Sequence, residues 1–90
     1  MEISYDAEKR AWTLEHRGLD FEDAVSVFAS PEFTIEDDRR DYGELRYQTY
    51  GLLGDRLVML VWTPRNMVRH IISMRKANER ERRRYEAQFS

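Results

Sequence analysis

Between Arg69 and Arg75 the chain carries two arginines, a histidine and a serine. These side chains can bind phosphate oxygens and, at the histidine, pass a proton near neutral pH. On a strand, side chains alternate between faces, so Val68, His70, Ile72 and Met74 would share one side and Arg69, Ile71, Ser73 and Arg75 the other. Arg69, Ser73 and Arg75 then make a phosphate-binding row; the alternative pairs the two arginines with the acids at Asp37, Asp38 and Asp41. His70 is a candidate general acid-base group for RNA cleavage, or else a core histidine packed beside Ile72. Arg46, expected on a middle strand, can approach His70 across the sheet, where a guanidinium would offset the extra charge of a pentacoordinate phosphorane. Its competing partner is Glu44, two residues away on the same strand face. Glu44 and Glu79 are possible general bases, but nothing in their spacing singles them out among seventeen carboxylates. Tyr47, Tyr50, Trp62 and Tyr85 can stack on unpaired bases or serve as packing.

Other chemistry is missing. There is no Gly-rich phosphate loop, no Ser/His/Asp order and no carboxylate metal cluster. With two histidines, no HExxH-like spacing and no cysteine, no metal site, cofactor or disulfide framework is expected.

The charge around these residues is segregated. Residues 65 to 84 hold eight Lys/Arg against two Glu, whereas the first 64 residues hold seven Lys/Arg against fourteen acids, within a formal net charge of −2. A basic block of this kind attracts polyanions such as RNA, and the acidic remainder weakens indiscriminate binding. The bland reading is a solvated Arg/Glu helix. Ninety residues suit one small domain, 1–90, with a modest core. The start, Met-Glu-Ile-Ser-Tyr-Asp, has no basic region leading into an apolar stretch, and the longest apolar run, Leu57 to Trp62, is six residues. The expectation is a cytoplasmic protein without membrane contact.

Several elements must position these groups. Ile3 to Tyr5 reads as an edge strand, with Asp6 as N-cap of a helix from about Ala7. Ala7, Ala11 and Leu14 form its apolar stripe, and Gly18 closes it. Asp20 caps a second helix with Phe21, Ala24, Val25 and Phe28 inward, stopped by Pro31, so the two form a helical hairpin. From Phe33 the period changes to alternation. Strands are predicted at Phe33 to Ile35, Glu44 to Leu52, Leu57 to Trp62 and Val68 to Met74. The turns fall at Leu53-Gly54-Asp55 and Arg65-Asn66, and Pro64 ends the third strand. Leu57 to Trp62, apolar on both faces, is the central strand. Asn78-Glu-Arg-Glu81 resembles a capping box opening a basic, weakly held final helix with Ala77, Tyr85 and Phe89 as its apolar contacts. The class is α+β: a helical hairpin on an antiparallel sheet of four to five strands, then a C-terminal basic helix.

Taken in order, Asp6-x-x-Lys9, Thr13-Leu-Glu-His-Arg-Gly18-Leu-Asp-Phe-Glu-Asp-Ala24-x-x-Val-Phe28, Gly43-Glu-x-Arg46 and Ile71-Ile-Ser-Met-Arg75-Lys-Ala-Asn-Glu79-Arg-Glu-x-x-x-Tyr85 resemble the BrnT toxins of bacterial type II toxin-antitoxin systems over nearly the whole chain. The resemblance implies a RelE/ParE-like fold and a metal-independent endoribonuclease that slows translation. It also implies a BrnA-type antitoxin that dimerises, giving a heterotetramer that reaches operator DNA only through the antitoxin. Arg46 and Arg75 match the family pattern directly. His70 stands where the family often has Arg, Met74 where it has Ala, and His16-Arg17-Gly18 where it has Lys-His-Gly. Arg46, His70 and Arg75 are the expected catalytic residues, with Arg69, Ser73, Lys76, Arg80 and Arg83 on the RNA. The second reading is a non-catalytic module that binds an antitoxin or another protein.

Overall fold

Asp6 and Gly18 delimit the first helix. In the computed structural model, which describes residues 1–89, strand β1 (Ile3–Tyr5) passes into α1 (Ala7–Arg17) at Asp6. The Asp6 carboxylate accepts from the backbone N–H groups of Glu8 and Lys9, two donors that the helix itself leaves unpaired. Gly18, at φ 67°, adopts the left-handed conformation that costs glycine little, and its N–H closes onto the Leu14 carbonyl at 3.1 Å. A 3₁₀ turn (Phe21–Asp23), capped by Asp20, leads into α2 (Ala24–Ala29). Arg10 of α1 forks onto Asp20 at 2.8 and 3.0 Å and ties the hairpin together.

The buried faces of these helices differ from the expected stripes. Ala7, Ala11 and Leu14 are exposed, and Thr13 is the only buried side chain of α1. The inward side of α1 is instead flanked by Arg10, held by Asp20, and Arg17, which donates to the Met74 carbonyl at 2.9 Å. Leu19 and Phe21, from the connection, fill the core. Because the second helix begins with a 3₁₀ turn, its phase shifts: Val27 is buried and Val25 is exposed.

Five strands form one sheet in the order β1-β5-β4-β3-β2, with β2 at Phe33–Glu36, β3 at Tyr47–Leu53, β4 at Arg56–Arg65 and β5 at Val68–Lys76. The meander from β2 to β5 is antiparallel as expected, but β1 runs parallel to β5. The sheet is therefore mixed. β3 starts three residues later than predicted, leaving Glu44 and Arg46 in the preceding loop. Pro64 does not end β4, which continues to Arg65. The turn is Asn66-Met67, both at positive φ (49° and 67°), as a twist-matched two-residue hairpin requires.

The central strand β4 is covered on both faces. On one side Leu19, Phe21, Ala24, Val27 and Phe28 pack on Val58, Leu60, Trp62, Ile71 and Met74. On the other, Tyr50, Leu57, Met59 and Val61 meet Tyr85 of α3 (Glu79–Phe89). Gly51 admits α2 closely, since a Cβ there would lie 2.9 Å from Val27 and Ser30. The capping box of α3 is formed: Asn78 N–H donates to Glu81, and Glu81 N–H to the Asn78 side chain, at 2.9 and 2.8 Å. Buried Tyr85, donating to the Pro31 carbonyl, anchors the helix more firmly than its charge implies.

A candidate phosphodiester site along one sheet face

A β-bulge between Val61 and Trp62 on β4 changes which β5 side chains share a face. Ser73 pairs with Val61 but Ile71 pairs with Trp62, so Ile72 is the extra residue and the alternation breaks there. Ile71 and Met74 both join the helical-hairpin core, whereas Ile72 packs on the α3 side. Antiparallel partners share a face. Thus His70 opposite Thr63, Ser73 opposite Val61 and Arg75 opposite Met59 lie on the α3 side. Arg69 lies on the other, its guanidinium 4.4 Å from the centre of the Phe28 ring and 4.7 Å from that of Trp62. The expected row of Arg69, Ser73 and Arg75 is not formed. Nor do these arginines pair with the acidic loop, where Asp37 is taken by its neighbour Arg39 at 2.7 Å.

At the hairpin end of this face a row of polar groups crosses the sheet. Ser4 pairs with His70 and His70 with Thr63; Ser4 Oγ lies 2.8 Å from His70 Nδ1, and Thr63 donates to the Leu45 carbonyl at 2.6 Å. Tyr47 pairs with Trp62, so Arg46, one residue earlier, enters beside Thr63. Arg46 and His70 thus flank the same β4 residue, with Arg46 coming from the loop and not from the expected strand. Its Nε donates to Glu44 at 3.0 Å, and its guanidinium covers the Tyr42 ring at 4.0 Å. Arg65 reaches Glu44 at 3.4 Å. The hydrogen bond from Arg46, with help from Arg65, holds the Glu44 carboxyl below its usual range. Burial, then the charge of Arg65, lowers the His70 pKa, so the imidazole is neutral at pH 7 and available as a base.

Arg75 stands apart from this group. It lies five steps along the strand from His70, roughly 16 Å at about 3.3 Å per residue, so the expected trio is not one cluster. Arg75 forks onto Glu81 of α3 at 2.8 and 2.9 Å. The Tyr50 hydroxyl lies 3.2 Å from Glu81 and 3.1 Å from Gln48. Arg75, followed by backbone and Tyr50 donors, pulls the Glu81 pKa down to about 2. That carboxylate is a poor base at neutral pH. Burial, then the Glu81 charge, raises the Tyr50 pKa.

Lys76, Arg80 and Arg83 are exposed, and Arg80, Arg83, Arg84 and Ala87 line a surface hollow of about 540 Å³ on α3. Glu79 is exposed and pairs with Arg83 at 3.8 Å. Tyr50, Trp62 and Tyr85 are buried and Tyr47 packs on Trp62, so these aromatics are packing groups and not stacking platforms. The Ser4–His70 contact had no signal in the sequence, because only the parallel pairing of β1 with β5 creates it. The Arg75–Glu81 clamp had one: a capping-box acid six residues after Arg75 and across a two-residue connection.

Among the described residues, no three His, Asp or Glu side chains are grouped to hold a metal ion, and no helix is long and apolar enough to cross a membrane. The model of one protein family, described as the ribonuclease toxin BrnT of type II toxin-antitoxin systems, matches residues 5–81. No curated protein matches the chain.

Proposed function

The chain belongs to the BrnT family, the ribonuclease toxins of type II toxin-antitoxin systems, and we propose that it cleaves RNA without a metal ion at the Arg46–His70 end of the sheet. The observation that carries this reading is the row Ser4, His70, Thr63 and Arg46, which sets a neutral histidine and an arginine on either side of one strand residue. Ser4 can accept the Nδ1 proton of His70, a tautomer that leaves Nε2 as the base. Nε2 takes the proton of a ribose 2′-hydroxyl, and the 2′-oxygen attacks the adjacent phosphorus. The bond to the 5′-oxygen breaks, and that oxygen leaves with a proton from the imidazolium or from water. The products are a 2′,3′-cyclic phosphate and a 5′-hydroxyl. Arg46 stabilises the phosphorane charge. Its ion pair with Glu44 is partly exposed, so an incoming phosphate displaces the carboxylate at little cost.

Arg75, held in place by Glu81, receives the phosphate of a flanking nucleotide, with Ser73 between the two ends. Lys76, Arg80 and Arg83 steer the strand electrostatically. Arg69, committed to two aromatic rings on the opposite face, contributes charge at the sheet margin. Residues 1–90 act as a single RelE/ParE-like domain in the cytoplasm, where RNA cleavage inhibits translation. A BrnA-type antitoxin neutralises it within a heterotetramer built on the antitoxin dimer, and operator DNA is reached only through that partner. Induction of the chain alone should arrest growth and co-expression of the neighbouring antitoxin gene should restore it. Unimpaired growth with a folded, accumulating chain would contradict the toxin reading.

A further inference from the structure

β1 covers the outer edge of β5 only at Arg69, His70 and Ile71. Beyond that point, among the described residues, no strand pairs with this edge, and α1 lies beside it instead, leaving a cleft of about 210 Å³ lined by Lys9, Trp12, Thr13, Arg17, Ile72 and Ser73. That volume is below the range of sites that enclose a whole drug-sized ligand, and it suits one planar base. Trp12 is held by stacking on His16, with ring centres 4.5 Å apart, and by the Arg17 guanidinium at 5.1 Å, yet it remains 49% exposed. A large aromatic left half exposed, with two neighbours already packed against it, has less freedom to lose on stacking than an isolated surface side chain. Arg17 is fixed by the Met74 carbonyl, a neutral acceptor that leaves its charge uncompensated. Among the described residues, neither Lys9 nor Arg17 is in an ion pair.

We infer that this cleft is a single-nucleotide subsite: an RNA base stacks on Trp12 while its phosphate meets Lys9 and Arg17, and Ser73 joins the cleft to the sheet face. The inference rests on the reading of the chain as a ribonuclease and extends the RNA path around the edge of β5. Two unpaired cations with a stacking aromatic match a nucleotide. A protein segment would need carboxylates and an apolar anchor at the same spacing.

The test uses a labelled ten-nucleotide RNA carrying 2′-O-methyl groups throughout, which binds without being cut, and reads its anisotropy. Trp12→Ala should weaken binding about 5- to 100-fold, Trp12→Phe should stay within about threefold of wild type because it still stacks, and Lys9→Ala should reduce the slope of log Kd against log salt by about one. A folded Trp12→Ala variant with wild-type affinity overturns the inference. So does a variant that keeps RNA affinity but no longer co-purifies with the co-expressed antitoxin, which would make the cleft a protein-docking surface. If the wild type cuts no unmodified RNA yet binds the probe through Trp12, the ribonuclease reading falls and the subsite stands. If it cuts RNA while neither binding nor cleavage depends on Trp12, the subsite falls and the ribonuclease reading stands.

Discussion

Each end of β5 sets an arginine against a glutamate on the same side of the sheet, and the two pairs are built for different work. At the hairpin end Glu44, in a loop and partly exposed, is shared by Arg46 and Arg65, each through a single contact at 3.0 and 3.4 Å. At the α3 end Glu81 is held by a two-pronged Arg75, a backbone N–H and the Tyr50 hydroxyl, and its side chain is only 12% exposed. A partly exposed single-pronged pair is weak and exchangeable, whereas a two-pronged one whose carboxylate is held by two further donors is costly to break. The first end can release its guanidinium to the scissile phosphate; the second keeps its ion pair, fixes a helix and offers only its free edge to a flanking phosphate. Arginine type alone therefore does not mark catalysis here, and the surroundings of each arginine divide chemistry from support.

This contrast breaks most sharply at His70. His70→Ala should lower the RNA cleavage rate about 100- to 10,000-fold, the usual range for removing a general acid-base group, as read by single-turnover kinetics. Arg46→Ala should cost about 100- to 1,000-fold, the loss expected for one transition-state donor, while its melting temperature stays close to wild type. If Arg46→Ala lowered the melting temperature and left cleavage intact, the division between the two ends would be inverted.

At the other end the effects should appear in stability. Arg75→Ala, which strands the Glu81 carboxylate, and Glu81→Gln should each cost about 1–3 kcal/mol, or roughly 5–20 °C in melting temperature for a domain of this size. The double variant should cost less than the sum of the two. Cleavage by Glu81→Gln at a temperature where it remains folded should fall less than tenfold.

Acidity separates the ends again. The Glu81 pKa, about 2 against an ordinary 4.5, means the unfolded chain takes up this proton first as pH falls. Its stabilisation is complete above about pH 4.5 and is lost progressively toward pH 2. Wild type should show that decline in melting temperature, and Glu81→Gln should flatten it. The depressed His70 pKa instead puts a limb in the pH-rate profile below the ordinary histidine value of about 6.5, absent in His70→Ala. The smallest effect belongs to α3: removing Lys76, Arg80 or Arg83 should each reduce the salt slope of RNA binding by at most about one, with little change in cleavage at saturating RNA.

Local signals carried much of this architecture. Asp6, Gly18, Asp20 and the Asn78–Glu81 box mark helix ends through side chains that pair with their own backbone, and the apolar run from Leu57 marks a strand covered on both faces. The misplaced stripe of α1 and the phase of α2 depended on what lay opposite. Arg10 and Arg17 are held across the helix surface because Asp20 and the Met74 carbonyl, ten and fifty-seven residues away, receive them. The phosphate row failed for a similar reason: one bulged residue, Ile72, moves every later side chain of β5 to the other face, and no residue type in that strand announces it. Arg46 and His70 were legible as chemistry, but their meeting across Thr63 follows from register.

The most direct test is to incubate the purified chain with RNA in EDTA and to analyse the ends of the products. Cleavage should survive chelation and yield 2′,3′-cyclic phosphate and 5′-hydroxyl ends. Cleavage should be absent when the scissile ribose is 2′-deoxy, and the rate should be at least about 100-fold lower in His70→Ala. RNA left intact by folded wild-type protein, or cut equally well by His70→Ala, would contradict this mechanism.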